Sequence, residues 1–222
     1  MENDQKIIES YLSYIEHEEF PCIAAKAALA KQQIKCFVAF HMACPNDDKN
    51  ILNFLYTFIE EYRASPNLFH SAAIIFKGPM FDTEIAFDNY LWKRLQALTN
   101  LDAKNYKYDD RVDNDPNSPS FSFSLKEEAF FIIGLHPNNN RHARVFDFPT
   151  LVFNPHKQFE QLRETARLEK MKKIVRQRDL VTSGSVNPML EDYGESSEVF
   201  QYSGRKYDEK WHCPLIKKHA TN

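Results

Sequence analysis

Apolar residues first recur at helical spacing in Ile7, Ile8, Tyr11, Leu12 and Ile15, which predicts a helix over 6–16. Pro21 is placed to open a second helix, and the alanine-rich run Ala24 to Ala30 propagates it. Cys36 to Phe40 is a short apolar run of strand type. Pro45 and the following Asn-Asp-Asp precede an amphipathic helix carrying Ile51, Leu52, Leu55, Phe58, Ile59 and Tyr62, which stops before Pro66. Ser71 to Lys77 reads as a strand closed by Gly78-Pro79, and Asp82 as the cap of a helix through Leu98. Phe121-Ser-Phe-Ser124 alternates strictly, while Ala129 to Leu135 is continuously apolar, as in a strand buried on both faces. Thr150 to Phe153 is a further strand, ending at Asn154-Pro155, where Asn154 is placed to cap a long charged helix reaching about Val181. The pattern predicts a mixed α+β fold. A single domain spanning 1–222 holds about five strands flanked by helices, with an irregular C-terminal wrap that keeps Met189, Leu190, Phe200, Tyr202 and Trp211. The acidic loop from Asp102 to Pro119 reads as an excursion within that domain.

Composition narrows the classes of function. A net charge of −3 gives no global field that would draw the chain to nucleic acid. The longest apolar run, Ala129 to Leu135, is far too short to span a membrane. The acidic, polar start lacks the marks of a signal or transit peptide, and Cys22, Cys36, Cys44 and Cys213 are scattered; a reduced cytoplasmic protein is expected. Only 5 glycines argue against glycine-rich phosphate loops, and 18 phenylalanines supply either a strongly aromatic core or a pocket for something flat and apolar.

Three constellations carry chemistry. His156, Glu160, Arg163 and Arg167 recur at i, i+4, i+7 and i+11 beside an apolar stripe of Phe159, Leu162 and Ala166. Such a row lines a cavity or forms a solvated flank. His136 stands at the exit of the most apolar strand, as a metal or cofactor ligand or as a histidine satisfied by backbone; Arg141 and Arg144 follow, a spacing that suits carboxylate or phosphate. His136, His156 and Glu160 are also the ligand types of a non-haem iron site. Cys22, at a helix start, is either a buried structural thiol or a thiolate stabilised by the helix N-terminus. Finally, Glu191, Asp192, Glu195 and Glu198 gather four carboxylates without a basic partner, either a solvated loop or a site for a cationic amine or guanidinium.

Several blocks also resemble the YqcI/YcgG family: Phe20-Pro-Cys22; Phe130-Phe-Ile-Ile-Gly-Leu-His-Pro137 with Arg141 and Arg144; Leu151-Val-Phe-Asn-Pro-His-Lys-Gln-Phe-Glu-Gln-Leu-Arg163; and Ile174 to Asp179. Gly184 to Leu190, Ser197-Glu198, Gln201 to Arg205 and Trp211-His-Cys-Pro214 continue the series to near the chain's end. Characterised members are haem proteins that hydroxylate nitrogen, one of them the guanidinium of arginine in D-cycloserine biosynthesis and another in the guanitoxin pathway. The resemblance therefore implies a haem b monooxygenase using dioxygen and an external electron donor on an amine or guanidine. In that reading His156 is the first choice of axial ligand and His136 the second, with Cys22 the thiolate alternative. Arg141 and Arg144 hold the propionates, His136, Glu160 and Arg163 serve catalysis, and Glu191, Asp192, Glu195 and Glu198 bind the cationic substrate. A haem carrier or sensor without turnover, and a non-haem iron oxygenase, are the competing expectations.

Overall fold

The computed structural model describes residues 2–65, 67–164, 167–183, 194–208 and 210–216. Its centre is a five-stranded sheet of β1 (Ile34–Ala39), β2 (Ser71–Phe76), β3 (Phe123–Leu125), β4 (Glu128–Leu135) and β5 (Thr150–Pro155), in the order β1-β2-β5-β4-β3. β1 and β2 run parallel, with Ile34 opposite Ser71; every other pairing is antiparallel. The parallel pair needs a crossover, and α3 (Asp48–Ala64) supplies it. The sheet is therefore mixed, and its five strands match the number the sequence pattern predicts.

The two-residue period of the strands sorts side chains into two layers. Phe130 and Ile132 of β4, Leu151 and Phe153 of β5, and Ile74 of β2 face α3 and α4 (Glu84–Asp102), where they meet Leu55, Phe58, Phe87 and Leu91. Leu135, Val152, Ala73 and Ile75 face the other way, toward Ile7, Tyr11 and Ile15 of α1 (Glu2–Glu16). On that second face lie α2 (Ile23–Ala30), α5 (His156–Glu164) and α6 (Arg167–Ser183). The C-terminal wrap runs through the short α7 (Val199–Tyr202) and packs Tyr207 and Trp211 at 3.8 Å between ring centroids. Buried Asp88 anchors this wrap, accepting hydrogen bonds from Trp92 Nε1 (2.8 Å) and the Tyr207 hydroxyl (2.5 Å).

Local signals place most elements within a residue or two. The cap of α4 is Thr83, one position beyond the expected Asp82, because its Oγ1 accepts from the Ala86 N–H at 3.2 Å. Asn154 is not a cap: β5 continues through Pro155 and the helix starts at His156, so the Asn154 side chain accepts from Ser71 Oγ at 3.1 Å across the sheet. The long helical stretch after it is carried by α5 and α6. The acidic loop belongs to the domain, since buried Asp109 accepts from Arg111 Nε (2.8 Å) and from the Ala129 N–H on β4 (2.8 Å).

Gly134 faces α4 at closest approach, and a Cβ there would lie 2.7 Å from Phe87 Cε1 and 3.0 Å from Leu91 Cδ1. Phe87 is itself backed by the His136 ring at 4.4 Å, so it has nowhere to retreat. Gly134→Ala is expected to cost about 1–3 kcal/mol by overpacking, read as a lower urea midpoint with an unchanged slope.

Candidate functional site

Between the sheet and the helices of its second face lies an apolar cavity of about 270 Å³, near the lower bound of small-molecule sites. Phe131, Ile133 and Leu135 of β4 form part of its floor; Phe159 and Leu162 of α5 and Tyr11 of α1 enclose it. Phe131 and Phe159 meet edge to face at 6.2 Å.

Cys22 lines this cavity. It occupies the N-cap position of α2 with extended backbone and makes no capping hydrogen bond. Burial raises its thiol pKa, and the N–H groups of Ala25 and Ala24 pull in the opposite direction without cancelling that effect. The turn that delivers it is fixed by Tyr14, whose ring meets Phe20 at 5.0 Å and whose hydroxyl donates to the Ala143 carbonyl at 2.7 Å. One tyrosine thus ties the Phe20-Pro21-Cys22 turn to the connection carrying Arg141 and Arg144. Both arginines line the cavity at 9% exposure. Arg144 Nη1 donates to the Tyr202 carbonyl at 3.0 Å.

Gly204 makes this placement possible. Its φ is +83°, and a Cβ would lie 2.7 Å from Arg144 Cδ and 2.9 Å from Asn139 Nδ2. Gly204→Ala is expected to cost about 1–3 kcal/mol in stability from the left-handed backbone and the displaced arginine, measured as a fall in the denaturation midpoint.

The histidines sit elsewhere. His136 continues the parity of Phe130, Ile132 and Gly134 and therefore faces α4, where it is 0% exposed and stacked on Phe87. Its Nε2 accepts from Asn139 Nδ2 at 3.2 Å, its Nδ1 is buried without a hydrogen-bond partner, and desolvation, with Arg144 nearby, lowers its pKa to about 4. His156 is 3% exposed and does not line the cavity. Its Nδ1 lies 3.3 Å from Glu160 Oε1 and its Nε2 3.5 Å from Glu198 Oε1, and burial depresses its pKa. The helix row turns outward from there, from buried His156 through half-buried Glu160 to exposed Arg163. Phe159 and Leu162 of the apolar stripe beside that row are what reach the cavity, and Ala166 lies outside the described residues. Among the described residues no three His, Cys, Asp or Glu side chains are grouped to hold a metal ion, so His136, His156 and Glu160 do not form such a group.

The acidic segment is divided. Glu191 and Asp192 lie outside the described residues, and Glu195 is exposed. Glu198 turns inward: it is 5% exposed, and its Oε2 accepts from Ser122 Oγ (3.0 Å) and the Tyr202 hydroxyl (3.3 Å). Burial pushes its carboxyl up to about 8, so it is largely protonated at neutral pH.

Two lining residues escaped the sequence reading. His70, just before β2, borders the cavity, and buried Gln158 of α5 grips its backbone from both sides. Gln158 Oε1 accepts from the His70 N–H (3.0 Å) and Nε2 donates to its carbonyl (3.2 Å). Gln158 lies within the Asn-Pro-His-Lys-Gln block, but no local pattern links it to a residue 88 positions away.

The chain is 24% identical over 209 residues to the uncharacterized protein YqcI of Bacillus subtilis (strain 168), an alignment covering 90% of this chain and 81% of that protein. No solved structure matches it. The sequence matches the YqcI/YcgG family over residues 11–216, the stretch that holds the cavity, Cys22 and both arginines, and the protein belongs to that family.

Proposed function

We propose that this protein is a haem-dependent N-hydroxylase, with haem b held in the apolar cavity of the sheet's second face. The single observation that carries the reading is the composition of that cavity: aromatic and aliphatic walls, one thiol, and two nearly buried guanidiniums. A porphyrin needs a flat apolar enclosure, an axial donor and cations for its two carboxylates. The lining offers all three types, so the residue types suit the group, and the cavity of about 270 Å³ would have to widen to admit it.

Within this reading Cys22 would hold the haem iron. It lines the cavity, whereas His156 and His136 do not, and a thiolate favours O–O cleavage, which suits a hydroxylase. Metal coordination offsets the burial that otherwise keeps the thiol protonated. Arg141 and Arg144 would pair with the propionates. A haem bound there would supply the reductive activation of dioxygen, one oxygen atom entering an N–H bond of the substrate and the other leaving as water, with two electrons and two protons from outside. The apolar walls exclude bulk water from the reacting nitrogen. The substrate is a small cationic amine or guanidine, drawn by the acidic groups Glu191, Asp192 and Glu195; an external donor supplies the electrons. Glu160 and Arg163, beside His156, serve as positioning groups for α5. No helix among the described residues is long and apolar enough to cross a membrane, and we place this chemistry in the cytoplasm.

The test is an absorption spectrum of protein purified from cells supplied with iron and haem precursor, before and after reduction under carbon monoxide. A Soret band with the long-wavelength carbon monoxide complex of thiolate-ligated haem is expected. A featureless spectrum after added haem overturns the reading. Haem uptake with no turnover of any amine or guanidine leaves a carrier or sensor instead.

A further inference from the structure

A second cavity, polar and about 750 Å³, lies on the far side of α5. Lys157 and Gln161 of α5 face it, while Gln158, Phe159 and Leu162 face the apolar cavity, so one helix is the wall between the two. A hydrogen bond joins the two linings. Ser65 lines the polar cleft, and its Oγ lies 3.0 Å from Nε2 of His70, the one imidazole among the described residues of the apolar lining.

We infer that His70 and Ser65 form a proton relay carrying protons from the polar cleft into the apolar cavity. This rests on the N-hydroxylase reading, in which dioxygen reduction consumes two protons inside a cavity walled against water.

The partners of Nε2 carry the argument. A structural histidine is held in one tautomer by a fixed acceptor or donor, as His156 is by the carboxylate of Glu160. His70 Nε2 has two partners that act in either sense. Ser65 Oγ accepts from the Asn67 N–H (3.2 Å), which leaves its hydroxyl proton available for Nε2 or its remaining lone pair for an Nε2–H. Gln33 Nε2 stands 2.8 Å from the same ring nitrogen, while Gln33 Oε1 is buried with no hydrogen-bond partner. Rotation of that amide exchanges its donor for its acceptor at the ring. Both tautomers of His70 are thus accommodated by a turn of the Gln33 amide and of the Ser65 hydroxyl alone. Nδ1 makes no hydrogen bond to any described residue, and His70 is part of the apolar lining.

The position is also held at a cost. Phe69 and Gln32, the residues before His70 and Gln33, have φ of +73° and +56°, a region side chains rarely adopt. Gln158 clamps the His70 backbone, and the Tyr62 and Phe58 rings lie 5.4 and 6.5 Å from the imidazole. Burial lowers the pKa of His70, Lys35 and Lys31 act in the same direction, and Glu61 opposes them, so the ring is neutral in its resting state. In each passage the Ser65 hydroxyl gives its proton to the ring nitrogen facing it, the proton on the other nitrogen is released into the cavity, and the serine oxygen recovers a proton from cleft water. A reorientation of the half-buried side chain that exchanges the two nitrogens between Ser65 and the cavity then resets the relay.

Two measurements test this. Nitrogen-15 NMR of the imidazoles, on the protein with or without haem, is expected to show His70 as an exchanging mixture of tautomers that Ser65→Ala shifts toward one form. A single fixed tautomer in the parent protein, or no change on Ser65→Ala, overturns the relay even if haem never binds. In haem-loaded protein reduced with dithionite, re-oxidation by dissolved dioxygen is followed at the Soret band. His70→Asn is expected to slow it by about 10²-fold and Ser65→Ala to slow it with loss of the solvent deuterium effect, both with an unaltered ferric spectrum. Unchanged rates with an intact spectrum defeat the relay alone, whereas an absent Soret band in the parent protein defeats the haem reading alone. Because Ser65 lies in the cleft wall and not in the apolar lining, a merely space-filling role for His70 predicts no effect of Ser65→Ala.

Discussion

Cys22→Ala is expected to yield a folded protein that no longer retains haem. The side chain makes no capping hydrogen bond at α2 and opens into a cavity, so its truncation removes little packing, and the urea midpoint is expected to shift by no more than about 1 kcal/mol equivalent. The loss falls on coordination alone. His136→Ala and His156→Ala serve as the contrast: each removes a buried ring, each is expected to lower stability by about 2–4 kcal/mol, and neither is expected to bleach the protein. Pigment content per protein, measured as the Soret-to-280 nm absorbance ratio after reconstitution with haem, separates the variants. Full pigment in Cys22→Ala with loss in His156→Ala would return the axial position to the helix histidine that the sequence puts first.

Glu198→Gln is expected to make the protein more stable at pH 8 by about 2–4 kcal/mol and nearly unchanged at pH 5. The carboxyl titrates near 8 in the folded protein, against an ordinary value of 4.5 in the unfolded chain. Between these two values the folded protein keeps a proton that the unfolded chain gives up, so stability falls as pH rises through that window, by up to about 1.4 kcal/mol per pH unit. Below pH 4.5 both states are protonated and the effect vanishes. Glutamine retains an oxygen for Ser122 Oγ and the Tyr202 hydroxyl and offers an amide to His156 Nε2, with no proton to lose. Urea denaturation of both proteins at pH 5 and pH 8 decides the matter. A variant destabilised by about 3–5 kcal/mol at both values would mean that Glu198 is ionised and paired with a protonated His156.

The buried Glu198–His156–Glu160 chain also changes the sense of the acidic segment. Four neighbouring carboxylates without a base read as one anionic surface, yet burial raises the Glu198 carboxyl and its bonds point inward, while Glu195 is exposed. Charge read from a sequence assumes solvent around every group; burial removes that assumption one residue at a time.

What the sequence determines by itself is local. Periodicity of 3.6 and 2 reports which face of an element is buried, and it places α1, α3, α4 and all five strands within a few residues of their positions. Strand parity even decides the fate of His136, since a residue in step with Phe130 and Ile132 must share their layer. The two blocks that bring Cys22, Arg141 and Arg144 are likewise visible as patterns. That these three line one cavity is decided only by the tertiary structure, through the sheet order β1-β2-β5-β4-β3 and the crossing of α1, α2 and α5 over one face. The same holds for His70, whose partners Gln33 and Gln158 lie 37 and 88 positions away. Periodicity measures burial against an unspecified neighbour, and it carries no information about which element that neighbour is. The helix row from His156 shows the consequence: its spacing is visible in the sequence, but the packing angle of α5 turned its apolar stripe, and not its charges, into the cavity wall.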